Sequence, residues 1–172
     1  MKRGRPWTAA LKLSAPWRHK VNNMALHCKF HAGSPEWLTM VGEQLLTAAL
    51  AADLPPDLDV ALVERYIDGA QIAGGLVQGL RFEIRRGVPS FRIGVAPYEE
   101  GDITIEVTVQ AVRQLNQLLS EDPAYAAALE GYQKSGALRI FGNPSLLGAW
   151  FGAVHDEIVH RTVPGQPRHR DP

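Results

Sequence analysis

The middle of the chain alternates apolar and polar side chains in three short runs. "LRFEIRR" places Leu80, Phe82 and Ile84 on one side, and "PSFRIGV" and "DITIEVTV" repeat the pattern. Strict alternation is typical of strands with one buried and one solvated face, whereas a parallel Rossmann-type sheet needs strands that are almost continuously apolar. The three runs therefore predict antiparallel strands, the first two of which are joined by a hairpin at "RGVP".

Helical spacing precedes and follows these strands. Ser34 and Pro35 are typical of a helix start, and apolar residues then recur at helical intervals from Trp37. Asp57 predicts the cap of a second helix, and two further helices are predicted at "VQAVRQLNQLL" and "SEDPAYAAALEGYQKS". A fourth strand is predicted at "GALRIFG", and Asn143 and Pro144 open a last helix. The second helix would carry on its apolar side Leu58, Leu62, Tyr66 and Ile67.

The predicted order is helix, helix, three strands, helix, helix, strand, helix. A sheet that is solvated on one face must bury its other face, and the helices are the available cover. The fold class predicted is α+β, with two layers and a mostly antiparallel, twisted sheet covered on one face by helices.

The last predicted helix, "NPSLLGAWFGAV" and beyond, is very apolar. At 100° per residue, its large apolar side chains share one sector of about 140°, and Gly152 and Asp156 fall outside it. This stripe is typical of a helix packed on a core, and the wall of an apolar ligand site would show the same stripe. The pattern alone leaves both interpretations open. The stripe consists of Leu146, Leu147, Trp150, Phe151, Val154 and Ile158.

Composition and charge narrow the function classes. With 172 residues, of which 45% are hydrophobic and 21% charged, the chain has room for one domain with a core. A formal net charge of zero argues against a nucleic-acid binder, because phosphate contacts dominate such binding. The single cysteine, Cys28, and the lack of an apolar run of about 20 residues lead us to expect a cytoplasmic protein without a transmembrane segment. Transient membrane contact and the oligomeric state stay open.

The two ends differ from the rest of the chain. Residues 1–23 carry six basic side chains and no acidic one, and Met24 is an alternative start. The tail "PGQPRHRDP" has no apolar periodicity. We expect a basic arm at residues 1–33 that is disordered or partly ordered, a folded domain at 34–161, and a disordered tail at 162–172.

Two motifs contain histidines at spacings that could suggest a metal site. In "HDEIVH", His155 and His160 are five residues apart and diverge by about 140° around a helix. "HCKFH" places His27, Cys28 and His31 together, with His19 upstream, but it has no second cysteine pair. No nucleophile motif or phosphate-binding loop is present either. We therefore predict no metal, no cofactor and no catalytic residue.

Several of these segments resemble the sterol carrier protein 2 family of lipid-binding domains. Ser135, Gly136, Leu138, Ile140 and Gly142 match the family's Ser-Gly-x-Leu-x-Ile-x-Gly-Asp strand, which leads into a helix, and Asn143 stands in place of the Asp. "GDITIEVTVQAVRQLNQLL" is similar to the family's preceding strand and helix. The resemblance covers Trp37 to Ile158. "SEDPAYAAALEGYQ" departs from the family pattern, which places the ligand type in question more than the fold.

The resemblance implies a twisted sheet covered by helices, with a lipid cavity between the layers and the last helix as one wall. We expect a non-enzymatic protein that binds or transfers a fatty acyl group, a sterol-like lipid or a polyprenyl quinone. The alternatives are a small enzyme acting on an apolar substrate and an interaction module that docks its last helix on a partner. A polar headgroup would meet Arg139 or Tyr132. The expected ligand-binding residues are Phe82, Ile84, Leu115, Tyr132, Leu147, Trp150, Phe151 and Val154.

Overall fold

The computed structural model describes residues 28–164. The first helix, α1 (Pro35–Ala51), begins where the sequence predicts: the Ser34 hydroxyl accepts a hydrogen bond of 3.1 Å from the Trp37 amide, and Pro35 occupies the first turn. One side of α1 is buried through Trp37, Val41 and Leu45. This helix therefore lies over the core.

Six strands form a single sheet. Strand β3 has neighbours on both sides: its Leu80 pairs with Glu64 of β1 on one side and with Ile93 of β4 on the other, both antiparallel. Strand β5 pairs parallel with β1 and antiparallel with β6, and the short β2 continues the β1 side of β3. The bounds are β1 (Val60–Tyr66), β2 (Gln71–Ile72), β3 (Leu76–Arg85), β4 (Val88–Val95), β5 (Ile103–Val107) and β6 (Leu138–Gly142).

Three further helices complete the layer on one side of the sheet: α2 (Val109–Leu115), α3 (Pro123–Ser135) and α4 (Ala149–His160). Thr108 caps α2 and Asp122 caps α3, while Gly136, in the left-handed region at φ 76°, ends α3. Four of the five pairings between strands are antiparallel. The predicted fold class, an α+β protein with a mostly antiparallel sheet covered by helices, is confirmed.

One predicted element is wrong. The residues proposed as a second helix after Asp57 form β1 instead. Leu62 and Tyr66 do share a buried side, but they do so because they are four residues apart on a strand, where every second residue points the same way. Val60 and Val63, which are β-branched, favour the strand. The intervening Glu64 therefore faces the same way as Leu62 and Tyr66.

The last helix is interrupted. Asn143 and Pro144 open a short 3-10 turn (Pro144–Leu147), and α4 begins only after Gly148. Gly148 has φ 89°, a conformation that favours glycine and breaks the helical path. The apolar stripe predicted for one continuous helix is therefore split: Leu147 is 2% exposed, whereas Leu146 is 50% exposed.

The two ends of the described chain meet. Phe30 forms a parallel bridge with Thr162: its amide donates to the Arg161 carbonyl (2.9 Å), and its carbonyl accepts from the Val163 amide (2.8 Å). The Trp37 indole Nε1 donates to the buried Thr162 hydroxyl at 2.9 Å. Hydrogen-bonded structure thus extends beyond residues 34–161 at both ends. The disorder predicted for the outermost residues lies outside the described residues.

Candidate functional site

A cavity of about 320 Å³ lies between the sheet and the helices. Its floor is the helix-facing side of the sheet, which we call the inner face, and its roof is formed by the four helices described above. The lining is mainly aliphatic and aromatic. Among the lining residues are Trp37, Val41 and Leu45 of α1, Leu62 of β1, Ile105 of β5, Leu115 of α2, Leu129 of α3 and Phe151, Val154 and Ile158 of α4.

The cavity reaches the surface between β6 and α4. Ile140 of β6 lies on the inner face but is 39% exposed, and Gly152 of α4 is exposed as well, although both line the cavity. A side-chain carbon added at Gly152 would meet no atom within 4 Å. The mouth therefore has room for a chain to enter beside Gly152. The sequence pattern placed Gly152 away from the apolar stripe, whereas in the structure it lines this mouth.

The floor of the cavity contains one carboxyl group, that of Glu64. The strand register places Glu64 between Leu80 of β3 and Ile105 of β5, so both of its cross-strand neighbours are apolar. Burial raises the pKa of Glu64 to about 7, and the side chain of Tyr66 opposes this shift only in part. Within residues 28–164, no Lys, Arg or His forms an ion pair with Glu64.

Tyr66 lies two residues further along β1, on the same inner face. Burial, together with the negative charge of Glu64, raises the pKa of its hydroxyl well above the usual value. The hydroxyl interacts with the Glu64 carboxyl, but the contact lies outside the geometry of a full hydrogen bond, and the oxygen has no other partner in the described chain. The two side chains form an incompletely satisfied polar pair.

Two other polar side chains that line the cavity, those of Asn116 and His155, have backbone partners. The Asn116 amide donates to the Val112 carbonyl at 2.9 Å, and His155 Nε2 lies 2.9 Å from the Leu118 carbonyl oxygen. The His155 ring also packs on the ring of Tyr125, with 4.5 Å between centroids. No Lys or Arg of the described chain lines the cavity. The Glu64 carboxyl is therefore the strongest polar feature of the site.

The residues predicted to bind a ligand divide into two groups. Leu115, Phe151 and Val154 line the cavity. Phe82, Ile84 and Leu147 are buried in the adjacent core and do not line it. A role for any of them in ligand binding stays a prediction.

Trp150 and Tyr132 also lie off the cavity. The Trp150 ring packs against Phe82, with ring centroids 6.0 Å apart, and its indole nitrogen is buried without a partner among the described residues. The Tyr132 hydroxyl donates to the side chain of Gln114. Arg139, the other expected headgroup contact, points to the opposite face of the sheet, where it pairs with Glu106 at 2.7 Å. The sequence pattern thus predicted correctly that α4 lines the cavity. The expected polar contacts, Tyr132 and Arg139, do not line it.

On the opposite side of the sheet, which we call the outer face, no helix of residues 28–164 lies over the strands. The charges of this face are paired: Glu106 binds Arg65 and Arg139, while Glu99, in the loop before β5, binds Arg81 and Arg92. Partial burial acts to raise the pKa of Glu99, but the Ala96 amide and the two arginines together hold it below its usual value. The outer face carries a partly buried ion-pair network, not a second apolar site.

Within residues 28–164, no three His, Cys, Asp or Glu side chains are grouped so that they could hold a metal ion. His19 and His27 lie outside the described residues. None of the helices in residues 28–164 is both long enough and apolar enough to cross a bilayer.

Comparison with known proteins gives similarity in structure alone. No protein family matches the sequence, and no curated protein matches it. A crystal structure of sterol carrier protein 2 is 12% identical over 76% of this chain and 98% of its own, with a TM-score of 0.43.

The fold is similar to that of sterol carrier protein 2 domains. Sterol carrier protein domain 2 of Helicoverpa armigera is 15% identical, with a TM-score of 0.39, over 78% of this chain and 98% of its own. This likeness concerns the fold alone.

A second group of similar structures is much longer. A double mutant of the sec-alkyl sulfatase Pisa1, an enzyme from Pseudomonas sp., is 21% identical, with a TM-score of 0.41, over 69% of this chain. The match spans only 16% of the sulfatase chain.

Proposed function

We propose that this protein binds a long apolar molecule, without chemical change, in the cavity between the sheet and the helices. The observation that carries the proposal is the cavity itself: about 320 Å³, with walls from α1, α2, α3 and α4 and a floor from β1, β5 and β6. Ligand sites are typically concave, mostly apolar and furnished with a few polar groups, as this one is.

The volume sets the size of the ligand. A cavity of roughly 150 Å³ takes up benzene, so this one has room for a chain of roughly a dozen carbon atoms. Each methylene group removed from water contributes about 0.8 kcal/mol, so ten of them give a gross gain of about 8 kcal/mol, from which ordering costs subtract. A fatty acyl chain, part of a sterol-like lipid or part of a polyprenyl chain would fit this description, with longer molecules extending through the mouth.

The mouth offers a test with a matched control. Gly152→Trp places an indole beside the opening, where its first carbon meets no atom within 4 Å, so the fold should tolerate it. Gly131→Trp is the control, because Gly131 is also an exposed helical glycine with open space around it but does not line the cavity.

Binding of the neutral fluorescent probe N-phenyl-1-naphthylamine would be titrated for all three proteins. We expect the Gly152 variant to lose at least tenfold in affinity and the Gly131 variant to stay within twofold of the parent. Failure of the parent protein to bind the probe, or equal binding by all three, would contradict the proposal.

A second candidate function is supported by Glu64. A carboxyl group with a pKa near 7 inside an apolar cavity is a candidate general acid or base. The cavity would then hold a substrate. Mass spectrometry of a bound apolar molecule, recovered after incubation, distinguishes the two: an unchanged mass supports binding, and a turnover product that Glu64→Gln abolishes supports an enzyme.

A further inference from the structure

The polar feature of the cavity floor is built into the sheet. Leu62, Glu64 and Tyr66 face inward from one strand, and the register holds Glu64 between two apolar neighbours. Glu64 lies in a strand that pairs on both sides, so its side chain cannot turn to the outer face without breaking the register. The carboxyl group is therefore fixed at the floor of the cavity.

The Glu64 carboxyl group lacks the arginine partners that the outer-face glutamates have. On the outer face, Glu106 has two arginines within ion-pair distance. Glu64 has no cationic partner among residues 28–164, and Tyr66 offers it an incomplete hydrogen bond. Burying a carboxyl group without a partner is costly, and such arrangements persist mainly at functional sites. A ligand group that donates a hydrogen bond would supply what the protein does not.

We infer that the cavity takes a long-chain ligand whose polar end is a hydrogen-bond donor without negative charge, an amine or a hydroxyl, and that Glu64 binds this end. The inference rests on the proposed function, because it concerns the same cavity. The chain would be buried against α1 and α4, and the polar end would reach the floor at β1.

The composition of the lining disfavours a carboxylate ligand. No Lys or Arg of the described chain lines the cavity, so nothing there would neutralise a second negative charge. His155 is engaged with the Leu118 carbonyl through one ring nitrogen, and Arg113 of α2, whose charge lowers the pKa of Tyr66, does not line the cavity. A free fatty acid would place two carboxyl groups close together in an apolar site, where like charges repel strongly.

The test compares ligands that share one chain and differ in the polar end. Dodecylamine, dodecanol and dodecanoate would displace N-phenyl-1-naphthylamine from the protein at pH 8, where most of the Glu64 carboxyl is ionised. We expect the amine and the alcohol to displace the probe at concentrations at least tenfold lower than dodecanoate requires.

Substitution then assigns the preference to Glu64. Glu64→Gln keeps the size of the side chain and removes its charge. In this variant the affinity for dodecylamine should fall at least tenfold, the affinity for dodecanol should change by less than threefold, and the affinity for dodecanoate should rise. Glu43→Gln, at an exposed position of α1, should behave as the parent.

The outcomes separate this inference from the proposed function. Absence of probe binding in the parent protein would contradict both the inference and the proposed function. Normal probe binding with equal displacement by all three ligands, or a headgroup preference that survives Glu64→Gln, overturns the inference and leaves the proposed function standing.

Discussion

Glutamate side chains on the two faces of the sheet have different surroundings, and their pKa values shift in opposite directions. On the outer face, Glu99 is held by two arginines and a backbone amide, and its pKa falls below the usual value. On the inner face, Glu64 has apolar neighbours and an incompletely bonded tyrosine, and its pKa rises to about 7. A carboxylate that has cationic partners and a backbone hydrogen bond is easily accommodated, whereas a carboxyl group buried without a cationic partner opposes folding. On the outer face, arginines thus offset the burial of the carboxylates. On the inner face, Glu64 has no such compensation, so its presence there does not favour folding.

The largest expected effect is on the free energy of unfolding, compared between an inner-face and an outer-face substitution at neighbouring positions of β3. Phe82 is fully buried on the inner face, off the cavity and against Trp150, and Phe82→Ala should lower the free energy of unfolding by about 3–5 kcal/mol. Arg81→Ala removes outer-face ion pairs and should cost about 1 kcal/mol or less. Urea unfolding measures both. Comparable losses for the two variants would mean that the faces do not differ as described.

Glu64→Gln should stabilise the protein at pH 8, by up to about 3 kcal/mol, since each pKa unit corresponds to about 1.4 kcal/mol. The folded protein retains a proton that the unfolded chain releases between pH 4.5 and about 7. The stability of the parent protein therefore decreases as the pH rises through this window, and it is constant above it. Equilibrium unfolding between pH 4 and pH 8 should show this decrease in the parent and its absence in the variant. A variant that is destabilised at pH 8 would show that Glu64 has a stabilising partner.

The smallest expected effect is on the outer face and has the opposite dependence on pH. Glu99→Gln should destabilise the protein by about 1 kcal/mol at neutral pH, because it weakens the pairing with Arg81 and Arg92. The pKa of Glu99 is lowered, so its contribution is present above the usual pKa of a glutamate and is lost as the pH falls through the lowered value. The difference between parent and variant should therefore vanish in acid. A difference that grows on acidification would contradict the ion-pair assignment.

The sequence predicted the sheet more successfully than the site. Alternating residues in β3 identified the inner face correctly, since Leu80, Phe82 and Ile84 are all buried. The spacing wrongly predicts a helix at β1 because Leu62 and Tyr66, four residues apart, fit the period of a helix as well as that of a strand. Val60, Ala61, Leu62 and Val63 are buried on both faces, which hides the alternation.

That single error also concealed the main polar group of the cavity. On a helix, Glu64 would lie away from the buried side, whereas on a strand it lies between Leu62 and Tyr66. The β-branched residues Val60 and Val63 were the available signal for a strand. Only the register with β3 and β5, which depends on residues far along the chain, places Glu64 over the cavity floor. Leu115, Phe151 and Val154, by contrast, were selected from the helical pattern and do line the cavity.

The bridge between Phe30 and Thr162 has a consequence for how this fold can be combined with other chains. The entry and exit points of the folded part lie side by side, held by two backbone hydrogen bonds and the Trp37–Thr162 contact. A domain with adjacent ends can be inserted into a surface loop of a host protein without forcing that loop apart, and it can be circularly permuted by a short connection between the ends. Permutation at an exposed turn, such as Pro97–Tyr98, would then keep the sheet order while moving the chain ends to the loop between β4 and β5.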